Sequence, residues 1–516
     1  MTNPSPNPPS TGAPTPISTA QDVNRVLGAQ GSHGHKSKAI VLLALGGIFM
    51  DAYDMSSLAF GITAIRTEFG LDGFMTGLTN AAIMIGAVIG AVFGGYLTDR
   101  FGRYKLFMAD MVFFVVAAIG CALSPNEWVL IFFRIIMGIG VGLDMPVAMA
   151  FLAEFSKLRG KQGRSQRVST WSPIWYVATG IGYFIVLICF LSLPYEAQPL
   201  LWRIVVGFGA IPALIVLLVR RRYMAESPQW LANQGDVAGA VDVLRTHYEL
   251  EVEYVPAGAS GAEAAVGAAG ASGAAASAAG TAIAGTRPRA YKTQWSGFAE
   301  LFSKRYRLRT IVAMCVCVFS TFGYNAVGYG LPLIITTLFQ QGPLVTIISS
   351  LVINLCFGAV GGFVCAGIVD RLGSRRVTLI GFVVQAVALA ILAAVGVPAG
   401  GLVIVSIAML AVFIFMQAAG PGTNLMNYAT LSYPARLRGI GIGFNQAVLR
   451  TFSVVSLIFF PVVSAALSMG VFWIIACAPL LGAIVVGIVK WDPTGQDVDA
   501  ESYADAESHA GAGVER

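Results

Sequence analysis

Long apolar runs, broken by short clusters of charge and turn residues, dominate the chain from residue 39 to residue 489. Runs long enough to cross about 30 Å of hydrocarbon as helix recur at residues 39–63, 75–98, 105–123, 127–151, 171–193 and 201–219. After a long polar linker they return at 310–338, 343–369, 376–396, 401–429, 440–467 and 469–489. The pattern predicts twelve membrane helices in two groups of six. Residues 1–37 read as a disordered tail, 38–222 as a first six-helix bundle, 223–308 as a linker, 309–490 as a second bundle and 491–516 as a second tail. The first tail is rich in Pro, Ser, Thr and Asn and lacks the charged-then-apolar layout of a cleaved signal peptide. The linker has an Ala/Gly/Ser-rich centre, residues 256–285, that cannot build a packed core. Its flanks differ: residues 226–247 read as a short helix and 298–309 as a basic amphipathic entry to helix seven.

Composition agrees with this pattern. Of 516 residues 56% are hydrophobic and 12% charged, and the mean hydropathy of +0.73 excludes a soluble globular domain of this size. With both termini placed in the cytoplasm, all but Arg66, Arg134, Arg203 and Arg450 among the 33 Lys and Arg fall in the tails and cytoplasmic loops. The chain therefore reads as an all-α polytopic protein of the cell inner (plasma) membrane, and its net charge of +6 as a surface for the inner leaflet rather than for nucleic acid. The seven cysteines lie in apolar segments without metal-ligand grouping and read as small core residues. No nucleophile–base or metal constellation suggests an enzyme, and no cofactor is implied.

The two halves repeat each other. Gly95-Tyr96-Leu97-Thr98-Asp99-Arg100-Phe101-Gly102-Arg103 follows helix two, and Gly367-Ile368-Val369-Asp370-Arg371-Leu372-Gly373-Ser374-Arg375 follows helix eight. Leu158-Arg159-Gly160 follows helix four as Leu437-Arg438-Gly439 follows helix ten. The same signals at matching points argue for two six-helix repeats with a site between them near the midplane. These loops, with Arg134, Gly138, Gly140 and Gly142 on helix four, resemble the signatures of the major facilitator superfamily. The resemblance implies two pseudo-symmetric six-helix bundles that rock about a central site. On that reading Asp99, Arg100, Arg103, Asp370 and Arg371 are gating charges, with Arg159 and Arg438 at the second pair of loops. Asp110 and Glu154 sit near the same edge, where pairing with loop arginines is the simpler role.

Charges inside the apolar runs need a reason, since an ionised side chain at the bilayer centre costs about 3 kcal/mol on the lenient scale. Asp51 and Asp54 lie roughly 19 and 24 Å from the inner end of helix one, and Arg134 roughly 20 Å above the inner face on helix four. The three share one layer, and the two acids share one helix face. Two carboxylates so close cannot both ionise cheaply, which makes a proton site of Asp51, Asp54 and Arg134, with Asp144 deeper toward the cytoplasm. The four histidines, His33, His35, His247 and His509, all fall in predicted cytoplasmic segments, so carboxylates carry any coupled proton. Arg450, about ten residues into helix eleven, has no acid in the second half to neutralise it. Its fork geometry suits an anionic substrate; a pair across the bundles with Asp51 or Asp54 is the structural alternative.

Within the superfamily, Asp51-Ala52-Tyr53-Asp54, Met145-Pro146, Tyr433-Pro434 and the register of Arg450 resemble the aromatic acid:proton symporters. Ala52 departs from the glycine of that group, and Asp144 is similar to related phosphate and metabolite symporters instead. Glu226-Ser227-Pro228-Gln229-Trp230-Leu231 and the Gly323 to Tyr329 run resemble the sugar porters. The two glutamines those carriers have before the helix-seven motif are Phe319 and Ser320 here, and their second-half glutamate is Leu431. Each hydrogen bond a hexose would lose costs on the order of 1 to 3 kcal/mol, which favours an organic anion over a sugar. Candidate wall residues are Tyr53, Trp171, Trp175, Tyr324, Asn325, Tyr329, Asn424, Asn427, Asn445 and Gln446, besides Arg450. The expected function is proton-coupled symport of a small organic anion, aromatic or other carboxylic acid, by a monomer. A sugar, polyol or phosphate symporter is the alternative, and a proton-driven exporter or a non-transporting nutrient sensor are alternatives of other kinds.

Overall fold

The computed structural model describes residues 14–29, 35–156, 164–223, 225–248, 250–256, 294–496 and 498. Each of the twelve predicted spans meets a helix or a run of helices. Helix one is His35–Phe69, two Gly73–Phe101, three Arg103–Ala122 and four Glu127–Ser156. Helix five joins Arg164–Ser169 to Trp171–Ser192, and helix six joins Leu201–Phe208 to Ala210–Tyr223 across Gly209. Helix seven runs from Arg307 to Leu338 and helix eight from Pro343 to Leu372. Nine is Ser374–Val395, ten Leu402–Ala419 with Pro421–Leu431, eleven Ala435–Leu467 and twelve Val471–Ile488. Apolar side chains cover the outside of these helices, as Ile404 and Ile488 show at 74% and 73% exposure, because lipid rather than water faces them.

Two features of the helices position the site. Helices two and four cross backbone to backbone: a β-carbon at Gly86 or Gly138 would overlap the carbonyl of Ile135 or Ile83, so only glycine permits the approach. Helices seven and eight, in contrast, open into wide π turns at Asn325–Tyr329, Ile334–Leu338 and Ile353–Ala359, a local geometry that recurs where helices bend for function.

The first tail and the flanks of the linker do not match the sequence expectation. Residues 15–17 form a strand, β1, that pairs in parallel with β2 at Val252–Tyr254, Thr15 opposite Val252 and Ile17 opposite Tyr254. Helix Ala20–Ala29 packs with Pro228–Asn233 and Val237–Tyr248 over a core of Ile17, Val23, Val26, Ala232, Ala240, Val241, Leu244 and Val252. Residues 15–29 are thus part of a small folded unit, not a disordered tail, because their few apolar side chains meet those of the linker flank. The predicted single helix over 226–247 is two, divided at Gly235 with φ +92°. The predicted amphipathic entry is a separate helix, Gln294–Leu301, whose neighbour Phe302 stacks edge-on against Phe444 of helix eleven at 5.5 Å. Two cysteines also depart from the core reading: Cys356 and Cys477 are exposed on the apolar surface.

Candidate functional site

Between the two six-helix bundles lies a cavity of about 550 Å³ of unfilled space, its mouth included. Helix five contributes Trp171, Ser172, Trp175 and Tyr176; helix seven Thr321, Tyr324, Asn325 and Tyr329; helices ten and eleven Gln417, Met426, Gln446 and Arg450 among others. Aromatic rings form much of the wall and amides punctuate it, the usual make-up of a site for a small ring-bearing ligand. Trp175 Nε1 donates to Tyr324 Oη at 3.0 Å, and Trp171 Nε1 reaches the Thr423 carbonyl at 3.4 Å, so helix five touches both helices seven and ten. Asn325 Nδ2 donates to Ser453 Oγ at 2.8 Å. Gln385 Nε2 donates to Gln417 Oε1 at 2.6 Å, and Gln417 Nε2 to Ser320 Oγ at 2.9 Å, which fixes the amide of Gln417.

Seven of the proposed wall residues line this cavity: Trp171, Trp175, Tyr324, Asn325, Tyr329, Gln446 and Arg450. Four do not. Tyr53 turns away and gives its hydroxyl to the Val205 carbonyl at 2.7 Å, locking helix one to helix six. Asn427 bonds Ser169 Oγ at 3.0 Å and Asn424 Oδ1 at 2.9 Å, and Asn445 bonds the Gly441 carbonyl of its own helix at 2.9 Å. Sequence reasoning missed Met84, Tyr176, Gln417 and Ser453. A buried glutamine inside an apolar helix is a visible outlier, so Gln417 and Gln385 were legible as polar groups that need partners.

The charges behind the wall are arranged differently from the expectation. Arg450 is 4% exposed, and its Nη1 lies 3.3 Å from the Met84 sulfur. No carboxylate stands within ion-pair distance of Arg450 among the described residues, though Asp51 is its electrostatic neighbour. Asp51 and Asp54 are buried, and none of their carboxylate oxygens accepts a hydrogen bond among the described residues. The predicted contact of Arg134 with one of them is not made: Asp54 faces Gly209 on helix six, where a β-carbon would come within 2.8 Å of its Oδ1. Asp144 is paired instead with Arg220, Nη2 to Oδ1 at 3.0 Å, and Arg220 Nη1 meets Asp110 Oδ2 at 3.0 Å. All three side chains are fully buried, so Arg220 is not the surface charge the loop count suggests; Asp110 does pair with an arginine of that count, but inside the bundle.

Of the gating charges, the side chains of Asp99, Arg100, Arg103 and Glu154, and residue Arg159, lie outside the described residues. Arg438 is buried; its Nε donates to the Thr430 carbonyl at 3.1 Å and its Nη2 to the Tyr433 carbonyl at 3.3 Å, closing the end of helix ten. Arg371 is exposed and Asp370 half-buried. Arg375 reaches the Val486 and Gly487 carbonyls at the end of helix twelve, at 3.1 and 2.9 Å.

Comparison with known proteins decides the family. Residues 39–496 match the model of the family described as "Sugar (and other) transporter". The chain belongs to that family. The transporter is 26% identical over 426 residues to a D-xylose transporter of Levilactobacillus brevis, covering 81% of this chain and 84% of the relative. It is 28% identical over 413 residues to the niacin transporter NiaP of Acinetobacter baylyi, covering 79% and 82%. The structure of the major facilitator superfamily proton:xylose symporter XylE, bound to a bromodeoxyglucose, superposes with a TM-score of 0.67 at 20% identity over 90% of this chain and 98% of that one. The fold is therefore that of the superfamily the sequence motifs resemble, and the chain is a carrier rather than an enzyme. The family match also gives the sugar alternative more weight than the missing helix-seven glutamines allowed. Gln417 and Gln446 supply wall amides from helices ten and eleven in place of the two glutamines absent from helix seven.

Proposed function

We propose that the transporter is a proton-coupled symporter of a small ring-bearing carboxylate, with the proton carried by Asp51 or Asp54. The observation that carries this reading is Arg450, a buried guanidinium on the cavity wall with no protein carboxylate at ion-pair distance among the described residues. A cation at that depth whose charged neighbour, Asp51, lies beyond ion-pair distance is expensive, and a bound carboxylate in its fork lowers the cost. The tyrosines and tryptophans supply faces for a ring and the amides hydrogen bonds for its substituents. The niacin transporter among the relatives is consistent with such a substrate.

A neutral sugar is the second reading, and the comparisons favour it: the family name, the D-xylose transporter and the proton:xylose symporter all point that way. The wall amides of Asn325, Gln417 and Gln446 give it partners. Uptake into proteoliposomes under an imposed pH gradient separates the two, with ring carboxylates, sugar acids, neutral pentoses and hexoses, and phosphate as the panel. Accumulation of carboxylates and not of neutral sugars supports the first reading. Accumulation of a neutral sugar that survives Arg450→Ala refutes it and establishes the second.

A further inference from the structure

Among the described residues, the interior of the first bundle holds four carboxylates, Asp51, Asp54, Asp110 and Asp144, against two guanidiniums, Arg134 and Arg220. The proposed function uses the upper pair. The lower three, Asp110 on helix three, Asp144 on helix four and Arg220 in the last turns of helix six, form a closed cluster at 0% side-chain exposure. Arg220 Nη1 contacts both Asp110 oxygens at 3.0 Å and donates to the Phe107 carbonyl at 2.8 Å, and Nη2 contacts Asp144 Oδ1 at 3.0 Å. Its guanidinium also stacks over the Phe107 ring at 4.5 Å. Two carboxylates against one guanidinium leave one negative charge over in a fully buried place.

The remaining oxygen of the cluster lies against helix one. Asp144 Oδ2 is buried and accepts no hydrogen bond among the described residues. It abuts Gly47 on helix one so closely that a β-carbon there would overlap both Asp144 oxygens. Asp51 stands four residues further along the same helix face, and Asp144 and Arg220 are both among its charged neighbours, with Arg450 and Asp54. Only a glycine at position 47 lets the Asp144 carboxylate lie against helix one, one turn from Asp51.

We infer that Asp144, Arg220 and Asp110 are the inward proton relay of the carrier, and that Gly47 admits the Asp144 carboxylate to the face of helix one from which Asp51 hands on its proton. The inference rests on the proposed proton coupling. In the transfer the O–H bond of Asp51 breaks and a new O–H bond forms at Asp144 Oδ2; Arg220 keeps its charge and shifts its hold toward Asp110, which stays ionised. The proton then passes within the acid pair to Asp110. That residue is seven positions into helix three, roughly 10 Å from its start at the arginine-rich loop, and releases the proton toward the inner solution.

The test uses the full-length protein in liposomes that enclose a pH-sensitive dye, with substrate uptake, proton influx and substrate counterflow measured side by side. Wild type is expected to acidify the lumen as substrate enters. Asp110→Asn and Gly47→Ala are expected to cut proton influx and uphill uptake at least tenfold while counterflow, which needs no proton release, continues. Infrared difference spectra are expected to show a carboxylic C=O band in the wild type that is lost in Asp144→Asn, a readout independent of turnover. If wild type carries no protons, the proposed coupling falls and the relay with it. If wild type acidifies the lumen and Asp110→Asn and Gly47→Ala do so equally, the relay alone is refuted.

Discussion

Arg450→Ala removes the cation that lines the cavity among the described residues, and since no protein acid stands at ion-pair distance from it there, loss of the substrate contact dominates the effect. The nearest partner of Arg450 Nη1 is the Met84 sulfur at 3.3 Å, a weak acceptor that costs little to lose. A carboxylate in the guanidinium fork makes two charge-assisted hydrogen bonds, each worth about 1.5 to 3 kcal/mol. Taking about 3 to 4 kcal/mol for the pair, after the cost of ordering it, the alanine variant should bind a ring carboxylate about 100- to 1000-fold more weakly. Arg450→Lys keeps the charge and loses the fork, so it should fall between, roughly tenfold weaker than wild type. Transport currents recorded on solid-supported membranes over a range of substrate concentration measure this. A carboxylate affinity within about threefold of wild type in Arg450→Ala would refute the role assigned to the residue.

Three further outcomes follow from contacts described above. Trp175→Phe removes the 3.0 Å hydrogen bond to Tyr324 between the bundles, worth about 1 kcal/mol, and should shift the closed-to-open balance about fivefold, read as labelling of a cysteine placed in the cavity. Arg220→Ala leaves Asp110 and Asp144 buried without their cation and should cost about 3 to 5 kcal/mol, read as a lower melting temperature in detergent; adding Asp110→Asn should recover part of the loss. Val23→Asp places a charge in the small core shared by residues 15–29 and 225–254. It should open that unit, which limited proteolysis within the linker would detect while the membrane helices stay intact.

The helices and their repeat were legible because hydropathy and loop charge report directly on the solvent each residue meets. Trp171 and Arg450, eleven residues after Gly160 and Gly439, reach the same cavity, as the repeat implies. What the sequence did not reveal was direction. Tyr53 lies between the two acids yet points at Val205, and Asp144 points at Arg220, because helix rotation is set by packing partners on other helices. The fold of residues 15–29 did leave a local sign. Thr19 and Asp22 cap each other reciprocally, Thr19 N donating to Asp22 Oδ2 at 3.0 Å and Asp22 N to Thr19 Oγ1 at 3.3 Å. A capping pair ahead of Val23 and Val26 marks a helix start even inside a Pro-rich tail.

The charges divide unevenly between the bundles, and that division bears on coupling. Among the described residues all four buried acids belong to the first bundle, whereas Arg450 belongs to the second and has Asp51 as an electrostatic neighbour. A proton on Asp51 alone strands Arg450, and a carboxylate at Arg450 alone strands Asp51, while binding both leaves neither charge unmatched. Coupling by charge balance is reciprocal, so protonation must raise carboxylate affinity by the factor by which the carboxylate raises proton affinity. The wild-type carrier should therefore bind its anion more tightly as pH falls, and the slope should vanish in Asp51→Asn, where the side chain is neutral at every pH. Asp54→Asn should keep the slope, since the charged neighbours of Asp54 are Arg134 and Asp51 and not Arg450. Titration of substrate binding by calorimetry at several pH values measures all three. An unchanged slope in Asp51→Asn, with a flat one in Asp54→Asn, would transfer the coupling role to Asp54 and Arg134.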